Sequence, residues 1–159
     1  MSDILNDVGN KFTANKICVI IPTYNNSSTL RKVLDGVLLF TNQVIVVYDG
    51  STDDTFTILE GYKNIIAISY PKNKGKGWAL RTGFKQATLR CYEYAITIDS
   101  DGQHFPEDLP LFLEKLKSSG PSLIIGARNM NQSSVPGKSS FGHKFSNFWF
   151  WVETGIHMQ

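Results

Sequence analysis

Cysteine, excess charge and long apolar runs are all scarce in this chain of 159 residues. The two cysteines, Cys18 and Cys91, are too few for a disulfide framework and do not have the spacing of a zinc site. A formal net charge of +2 gives no reason to expect a nucleic-acid partner, and we expect none. No run approaches the roughly 20 apolar residues that a membrane-spanning helix needs. With 42% hydrophobic residues, the composition is that of an ordinary globular domain.

The first 15 residues are polar and mixed in charge, and they lack the apolar core of a signal peptide. We therefore expect a flexible N-terminal segment at residues 1–15 and one domain at residues 16–159. Cys18 lies in an apolar run, so we expect it to be a small core residue. No closing signal follows the aromatic segment near the end of the sequence, so we expect this domain to be truncated at its C-terminus.

Short apolar runs alternate with helical patterns along the rest of the chain. The runs predict five strands, at residues 17–21, 44–47, 65–68, 94–98 and 123–125. The intervening segments predict helices at about residues 27–40, 53–60, 75–92 and 106–117. Continuous apolar strands joined by helices predict an α/β fold, in which a mainly parallel sheet is covered by helices on both faces.

Polar residues cluster where the predicted strands end, which is where ligands bind in such sheets. Residues 22–26 follow the first strand and could place a ring and amides against a base or ribose, or could form a plain turn. Asp49 follows the second strand and could accept a hydrogen bond from a ribose hydroxyl or a base. Asp53 or Asp54 is better suited to cap the next helix.

Two carboxylates, Asp99 and Asp101, follow the fourth strand with one residue between them. Side chains at i and i+2 of an extended chain point the same way, so this Asp-x-Asp pair can converge on one point. Hard oxygen ligands at an open site suit a divalent cation that also holds substrate phosphates. Such pairs are also common in ordinary turns. His104 could be a third ligand, a supporting group or an ordinary surface histidine.

Residues 73–77 form a basic, glycine-rich turn at the start of a predicted helix. Free backbone N–H groups and the helix dipole favour a phosphate at such a place. The turn is not a Walker loop, because no Gly-Lys-Ser/Thr ends it, and Leu80 stands where a dinucleotide fingerprint has its third glycine. A solvated turn with lysines in water is the alternative.

The aromatic segment at residues 141–151 has a helix-compatible pattern. Its large apolar side chains could face a membrane or an acceptor, or they could form part of the core. The basic residues just before it could attract phosphate head groups. A membrane surface is therefore one expected partner of the protein.

Four segments together resemble the inverting family-2 glycosyltransferases in order and spacing; they lie at residues 20–25, 46–53, 73–77 and 99–103. The subgroup that includes dolichyl-phosphate mannose synthase and other polyprenyl-phosphate sugar transferases looks closest. Residues 138–141 and 145–149 also look like that subgroup. The resemblance runs from about residue 16 to the end.

The resemblance implies a GT-A fold of Rossmann-like type, a UDP- or GDP-linked sugar donor, and Mg²⁺ or Mn²⁺. It implies that the nucleotide sugar is bound by Pro22, Tyr24, Asp49, Lys76, Asp99 and Gln103. It also implies that Asp99 and Asp101 hold the metal. Asp101 and Arg128 would be the catalytic residues, with Arg128 meeting a phosphate after the fifth strand.

The resemblance further implies that the acceptor is a polyprenyl phosphate, with the protein at the cytoplasmic face of a membrane in cell-envelope biosynthesis. A hydroxyl acceptor on a polysaccharide or glycolipid is the alternative, as is a nucleotide-sugar-binding module without catalysis. The chain departs from the family at Tyr48, where an acidic residue or Asn is usual, and at Phe105, where relatives often carry Asp.

Overall fold

A computed structural model describes residues 2–116 and 123–126 of the chain. The strands are β1 (Ile17–Thr23), β2 (Val44–Asp49), β3 (Ile66–Tyr70) and β4 (Tyr94–Thr97). The helices are α1 (Ser2–Ala14), α2 (Ser27–Leu38), α3 (Thr55–Glu60), α4 (Lys76–Leu89) and α5 (Leu109–Leu116), with a 3₁₀ turn at Pro106–Asp108 before α5. Contacts divide the chain into units of residues 1–120 and 121–159, and all these elements belong to the first.

The four strands form one parallel sheet in the order β3-β2-β1-β4, as the sequence predicted. Val19 of β1 is paired with Val44 on one side and with Ile96 on the other. Every residue of β1 is buried, as expected for the central strand of a covered sheet. The chain leaves β1 towards β2 and later returns to its other side with β4. This reversal opens a crevice at the carboxyl ends of β1 and β4.

Helices cover both faces of the sheet, which confirms that part of the prediction. Val19 and Ile21 point into a core that also holds side chains of α1, α2 and α5, whereas Cys18 and Ile20 point to the face covered by α4. Helix α4 comes very close to the sheet: a Cβ added at Gly83 would lie 2.5 Å from Cγ2 of Ile20. Cys18 is fully buried, as predicted, and burial raises the pKa of its thiol to about 11.

The N-terminal residues differ from the prediction of a flexible segment, because residues 2–14 form helix α1. Val8 and Phe12 of this helix are buried in the core beside α2 and α5. With Leu5 they make an i, i+3, i+7 apolar stripe, which is the signal of an amphipathic helix. The segment is polar on average, so the stripe was not recognised in the sequence.

The fifth strand predicted at residues 123–125 is absent from the described residues. Residues 123–126 form neither helix nor strand, and Leu123 and Ile125 are 87% and 66% exposed. A strand is stable only when its backbone pairs with a neighbour, and a run of three apolar residues has little else to hold it. The short run was therefore a weak basis for a strand.

None of the helices among the described residues has the length and hydropathy required to cross a bilayer.

Candidate functional site

A pocket of about 360 Å³ lies at the carboxyl ends of the strands. It is lined by the last residues of β1 and β2, by residues that follow β1 and β4, and by the start of α4 with the turn before it. Six of the residues predicted from the sequence line it, namely Pro22, Tyr24, Asp49, Lys76, Asp99 and Asp101. The sheet topology therefore brings together groups that lie up to 79 positions apart in the sequence.

The Asp49 carboxylate holds the basic turn in place. Its two oxygens accept hydrogen bonds from the backbone N–H groups of Lys74 and Gly75, both at 2.8 Å. Asp49 is only 2% exposed, and an added Cβ at the next residue, Gly50, would lie 2.7 Å from the backbone nitrogen of Asn73. Gly50 has a φ of +62°, a conformation that favours glycine. The end of β2 is thus packed directly against the turn that begins α4.

Lys76 and Asp99 form an ion pair inside the pocket. The Lys76 Nζ atom lies 2.7 Å from Oδ2 of Asp99, and the side chains are 62% and 25% exposed. Lys76 is the first residue of α4, and Asp99 lies two residues beyond the end of β4. The pair places a cation and an anion side by side where the strands end. An exposed pair of this kind is weak and can be exchanged for a charged ligand.

Asp99 and Asp101 lie beyond β4, in a turn that Ser100 anchors. Ser100 is 1% exposed, and its hydroxyl donates to the carbonyl oxygen of Pro22 at 3.1 Å and accepts from the Asn26 amide at 2.8 Å. The Ser100 carbonyl accepts from the Thr29 hydroxyl at 2.7 Å. Both carboxylates line the pocket, as predicted, but a buried residue between them in a turn brings this about, and not a continuing strand.

His104 also supports this turn. Its Nδ1 atom accepts a hydrogen bond from the Asp99 backbone N–H at 3.1 Å, so that nitrogen is engaged. Among the described residues no group of three His, Cys, Asp or Glu side chains could hold a metal ion. A divalent cation here would have two carboxylates from the protein, Asp99 and Asp101, and would need further oxygens from a ligand or water. Two carboxylates at an open site therefore fit Mg²⁺ or Mn²⁺ as the protein's share of the ligands.

Two predicted site residues are not placed in the pocket. Gln103 is exposed, and its backbone N–H donates to Oδ1 of Asp101 at 2.9 Å, so it closes the turn without lining the pocket. Arg128 and the aromatic segment at residues 141–151 lie outside the described residues. The roles predicted for them stay predictions.

Asp53 ties the loop after β2 to the start of α2, a link that the sequence did not reveal. One carboxylate oxygen accepts from the Ser27 N–H at 2.9 Å, and the other accepts from the Thr55 backbone and hydroxyl at 3.1 and 2.5 Å. Desolvation raises the pKa of the Asp53 carboxyl, but the hydrogen bonds from Thr55 and Ser27 outweigh it and lower the pKa to about 2. The first turn of α2 is therefore capped by a residue from another loop.

A second contact joins the same two loops beside the pocket. The backbone N–H of Asn25 donates to the Ser51 hydroxyl at 2.9 Å, and the Asn25 side chain accepts from the Thr52 N–H at 2.8 Å. Asn25 has a φ of +51°, which Asn tolerates better than most residues. The neighbouring Tyr24 is 45% exposed at the pocket. These contacts fix the loop from which Tyr24 projects.

The family model "Glycosyl transferase family 2" matches residues 18–152. The chain is 31% identical over 132 residues to a UDP-N-acetylglucosamine–dolichyl-phosphate N-acetylglucosaminyltransferase of Methanococcus voltae, covering 72% of this chain and 53% of the relative. It is 32% identical over 127 residues to a dolichol-phosphate mannosyltransferase of Pyrococcus furiosus, covering 76% and 35%. The chain spans about half the length of the first relatives it matches.

A solved structure with a similar fold is glucosyl-3-phosphoglycerate synthase from Mycobacterium tuberculosis in complex with Mn²⁺ and UDP-glucose. The TM-score is 0.52 at 24% identity, covering 70% of this chain and 43% of the synthase. At this identity the likeness shows the fold alone. It confirms the predicted GT-A fold.

Proposed function

Because the chain belongs to glycosyl transferase family 2, we propose that its pocket binds the nucleoside diphosphate of a sugar donor. The observation that carries the proposal is the meeting of Asp49, Lys76, Asp99 and Asp101 in one pocket at the carboxyl ends of a parallel sheet. Nucleotides bind at this edge in open α/β sheets. A site with both a lysine and paired carboxylates matches a diphosphate that arrives with a cation.

Each side of the pocket has a different part in this proposal. Tyr24 and Pro22 offer a ring and a rigid backbone to the nucleoside, and Asp49 lines the same pocket. The Asp49 carboxylate already accepts two backbone N–H groups, so we assign it first to holding the basic turn, and a contact with the nucleoside would use its remaining lone pairs. Lys76 then presents its ammonium to the diphosphate.

Asp99 and Asp101 would hold Mg²⁺ or Mn²⁺ against the diphosphate. The bound cation would act as a Lewis acid for the leaving diphosphate. Ser100 and His104 keep the two carboxylates at the pocket, because they fix the backbone on both sides of Asp99. Gln103 would stay close by through its contact with Asp101, and we propose that Arg128 meets a phosphate of the donor or acceptor.

We propose a polyprenyl phosphate as the acceptor and inversion at the anomeric carbon. The names of the relatives from M. voltae and P. furiosus support a dolichyl-phosphate type of acceptor. A phosphate acceptor is already ionised at neutral pH, so it can attack the face opposite the leaving group with little help from a base. Such an acceptor would place the protein at the cytoplasmic face of a membrane.

A calorimetric titration with UDP, GDP and their sugar conjugates in the presence of Mn²⁺ tests the donor part. We expect one nucleoside diphosphate to bind at least about tenfold more tightly than its nucleoside, because the diphosphate gains Lys76 and the cation. Failure of every nucleotide to bind would contradict the proposal.

An activity assay tests the acceptor. Release of nucleoside diphosphate that depends on added polyprenyl phosphate would support that acceptor, and release that depends on a glycan hydroxyl instead would refute it.

A further inference from the structure

Helix α4 has two unlike faces. Ala79, Gly83 and Ala87 form a stripe of small buried residues that packs on the sheet. At about 100° per residue, the direction opposite this stripe falls between Arg81 and Lys85. Three large apolar side chains flank those two basic residues and are 47%, 45% and 65% exposed; they are Trp78, Phe84 and Leu89. We call these five outward residues the α4 outer face.

Basic side chains are concentrated in α4 and in the residues on either side of it. Residues 70–90 contain six basic side chains and no acidic one, whereas the rest of the chain contains 10 basic and 14 acidic side chains. The small net charge of the whole protein therefore conceals one strongly basic segment. Among the described residues the ion pairs are Lys11–Asp7, Lys16–Glu93 and Lys76–Asp99. Arg81 and Lys85 take part in none of them, so their charges face solvent.

The first turn of α4 extends the same surface. The Lys74 ammonium lies 4.6 Å from the centre of the Trp78 ring and 5.5 Å from that of Tyr70. Cation–π contacts at these distances keep basic and aromatic groups side by side. Lys72 is exposed just before this cluster. A basic face edged by large aromatic and aliphatic groups offers a membrane surface two attractions: charge towards anionic head groups, and apolar groups that can be buried at the boundary with the acyl chains.

We propose that the α4 outer face is a docking surface for an anionic phospholipid bilayer. Arg81 and Lys85 would meet lipid phosphates, while Trp78, Phe84 and Leu89 would enter the boundary between head groups and acyl chains. These exposed apolar groups favour a bilayer over a nucleic-acid duplex, whose backbone would use only the charges. The inference goes beyond the donor site and does not depend on it. Since Lys76 begins the same helix and lines the pocket, docking would hold the pocket beside the lipid surface.

Sedimentation with vesicles of stated composition tests this surface. We expect binding to vesicles that contain phosphatidylglycerol, weaker binding at high salt, and little binding to pure phosphatidylcholine. The double variant Arg81→Gln, Lys85→Gln should bind at least about tenfold more weakly, because each basic residue near the surface contributes about fivefold. Trp78→Ser with Phe84→Ser should also weaken binding, whereas Arg81→Lys with Lys85→Arg should keep it.

A matched control is the double variant Arg31→Gln, Lys32→Gln, which removes the same charges from exposed positions on α2, on the other face of the sheet. It should bind vesicles like the unaltered protein. The proposal is overturned if the unaltered protein does not bind anionic vesicles, or if it binds an oligonucleotide and not vesicles. It is also overturned if the control variant loses as much vesicle affinity as Arg81→Gln, Lys85→Gln. Nucleotide affinity should be unchanged in the variants of Arg81 and Lys85, because these two residues do not line the pocket, so failure of this proposal is separable from failure of the donor site.

Discussion

The Lys76 ammonium lies 2.7 Å from the Asp99 carboxylate, and both groups line the same pocket. Without a ligand, the two charges neutralise each other. A nucleoside diphosphate with its cation would offer each of them a new partner: the phosphates for Lys76 and the metal for Asp99. The pair therefore links the lysine of the α4 turn to the carboxylates of the β4 turn. Donor binding would replace this ion pair with two new contacts, one from Lys76 to the phosphates and one from Asp99 to the metal.

Replacing Lys76 with Met should weaken the binding of the nucleoside diphosphate by at least about fivefold, because a charge-assisted contact to phosphate is lost. Binding of the nucleoside alone should change little, since Lys76 is assigned to the phosphates. Titration calorimetry with both ligands measures the difference. Lys63→Met, at an exposed lysine outside the pocket, is the control. An equal loss for nucleoside and diphosphate would remove Lys76 from its assigned role.

Replacing Asp49 with Asn should loosen the turn at residues 73–76, because an amide cannot accept two backbone N–H groups with both of its terminal atoms. We expect faster hydrogen exchange at Lys74 and Gly75 together with weaker nucleotide binding. The dependence on Mn²⁺ should remain, because Asp49 is not assigned to the metal. Asp54→Asn, at an exposed carboxylate in the loop that follows β2, should leave both measurements unchanged. Weak binding with normal exchange would instead indicate a direct contact between Asp49 and the nucleoside.

Asp53 should make the loops beside the pocket sensitive to acid. Its pKa in the folded protein is about 2, below the value of about 3.9 for an unperturbed Asp. A lowered pKa stabilises the folded state above about pH 4, and this contribution is lost as the pH falls towards 2. In Asp53→Asn, the free energy of unfolding, measured in urea, should be lower at neutral pH and should fall less steeply between pH 4 and 2. A variant with the same acid slope as the unaltered protein would contradict this assignment.

The sheet and most of the pocket could be predicted from the sequence because their signals are local. The first four strands are continuous apolar runs, and polar residues follow them directly. Once a parallel sheet is assumed, topology alone brings Tyr24, Asp49 and Asp99 to one edge. The basic turn at Lys76 could also be predicted, because glycines and lysines at the start of a helix form a recognisable local pattern.

The rest depends on contacts between distant residues, which no local pattern encodes. The Ser100 hydroxyl meets the Pro22 carbonyl across 78 positions, and the Asp53 carboxylate meets the Ser27 N–H across 26. Serine and aspartate side chains in turns normally form hydrogen bonds with nearby backbone groups, so these bonds to distant residues could not be expected from the sequence. Helix α1 was missed for another reason: its stripe at Val8 and Phe12 is present, but the segment is polar on average.

The central claim is that the Asp99–Asp101 turn binds a nucleoside diphosphate through a divalent cation. Calorimetric titration of UDP or GDP, with Mn²⁺ and then with EDTA, tests it most directly. We predict that chelation, or Asp101→Ala, weakens binding at least about tenfold, about 1.4 kcal/mol, because two carboxylates repel a diphosphate unless a cation lies between them. Asp108→Ala, at an exposed carboxylate outside the pocket, should bind like the unaltered protein. Equal affinity with and without the metal would contradict the account.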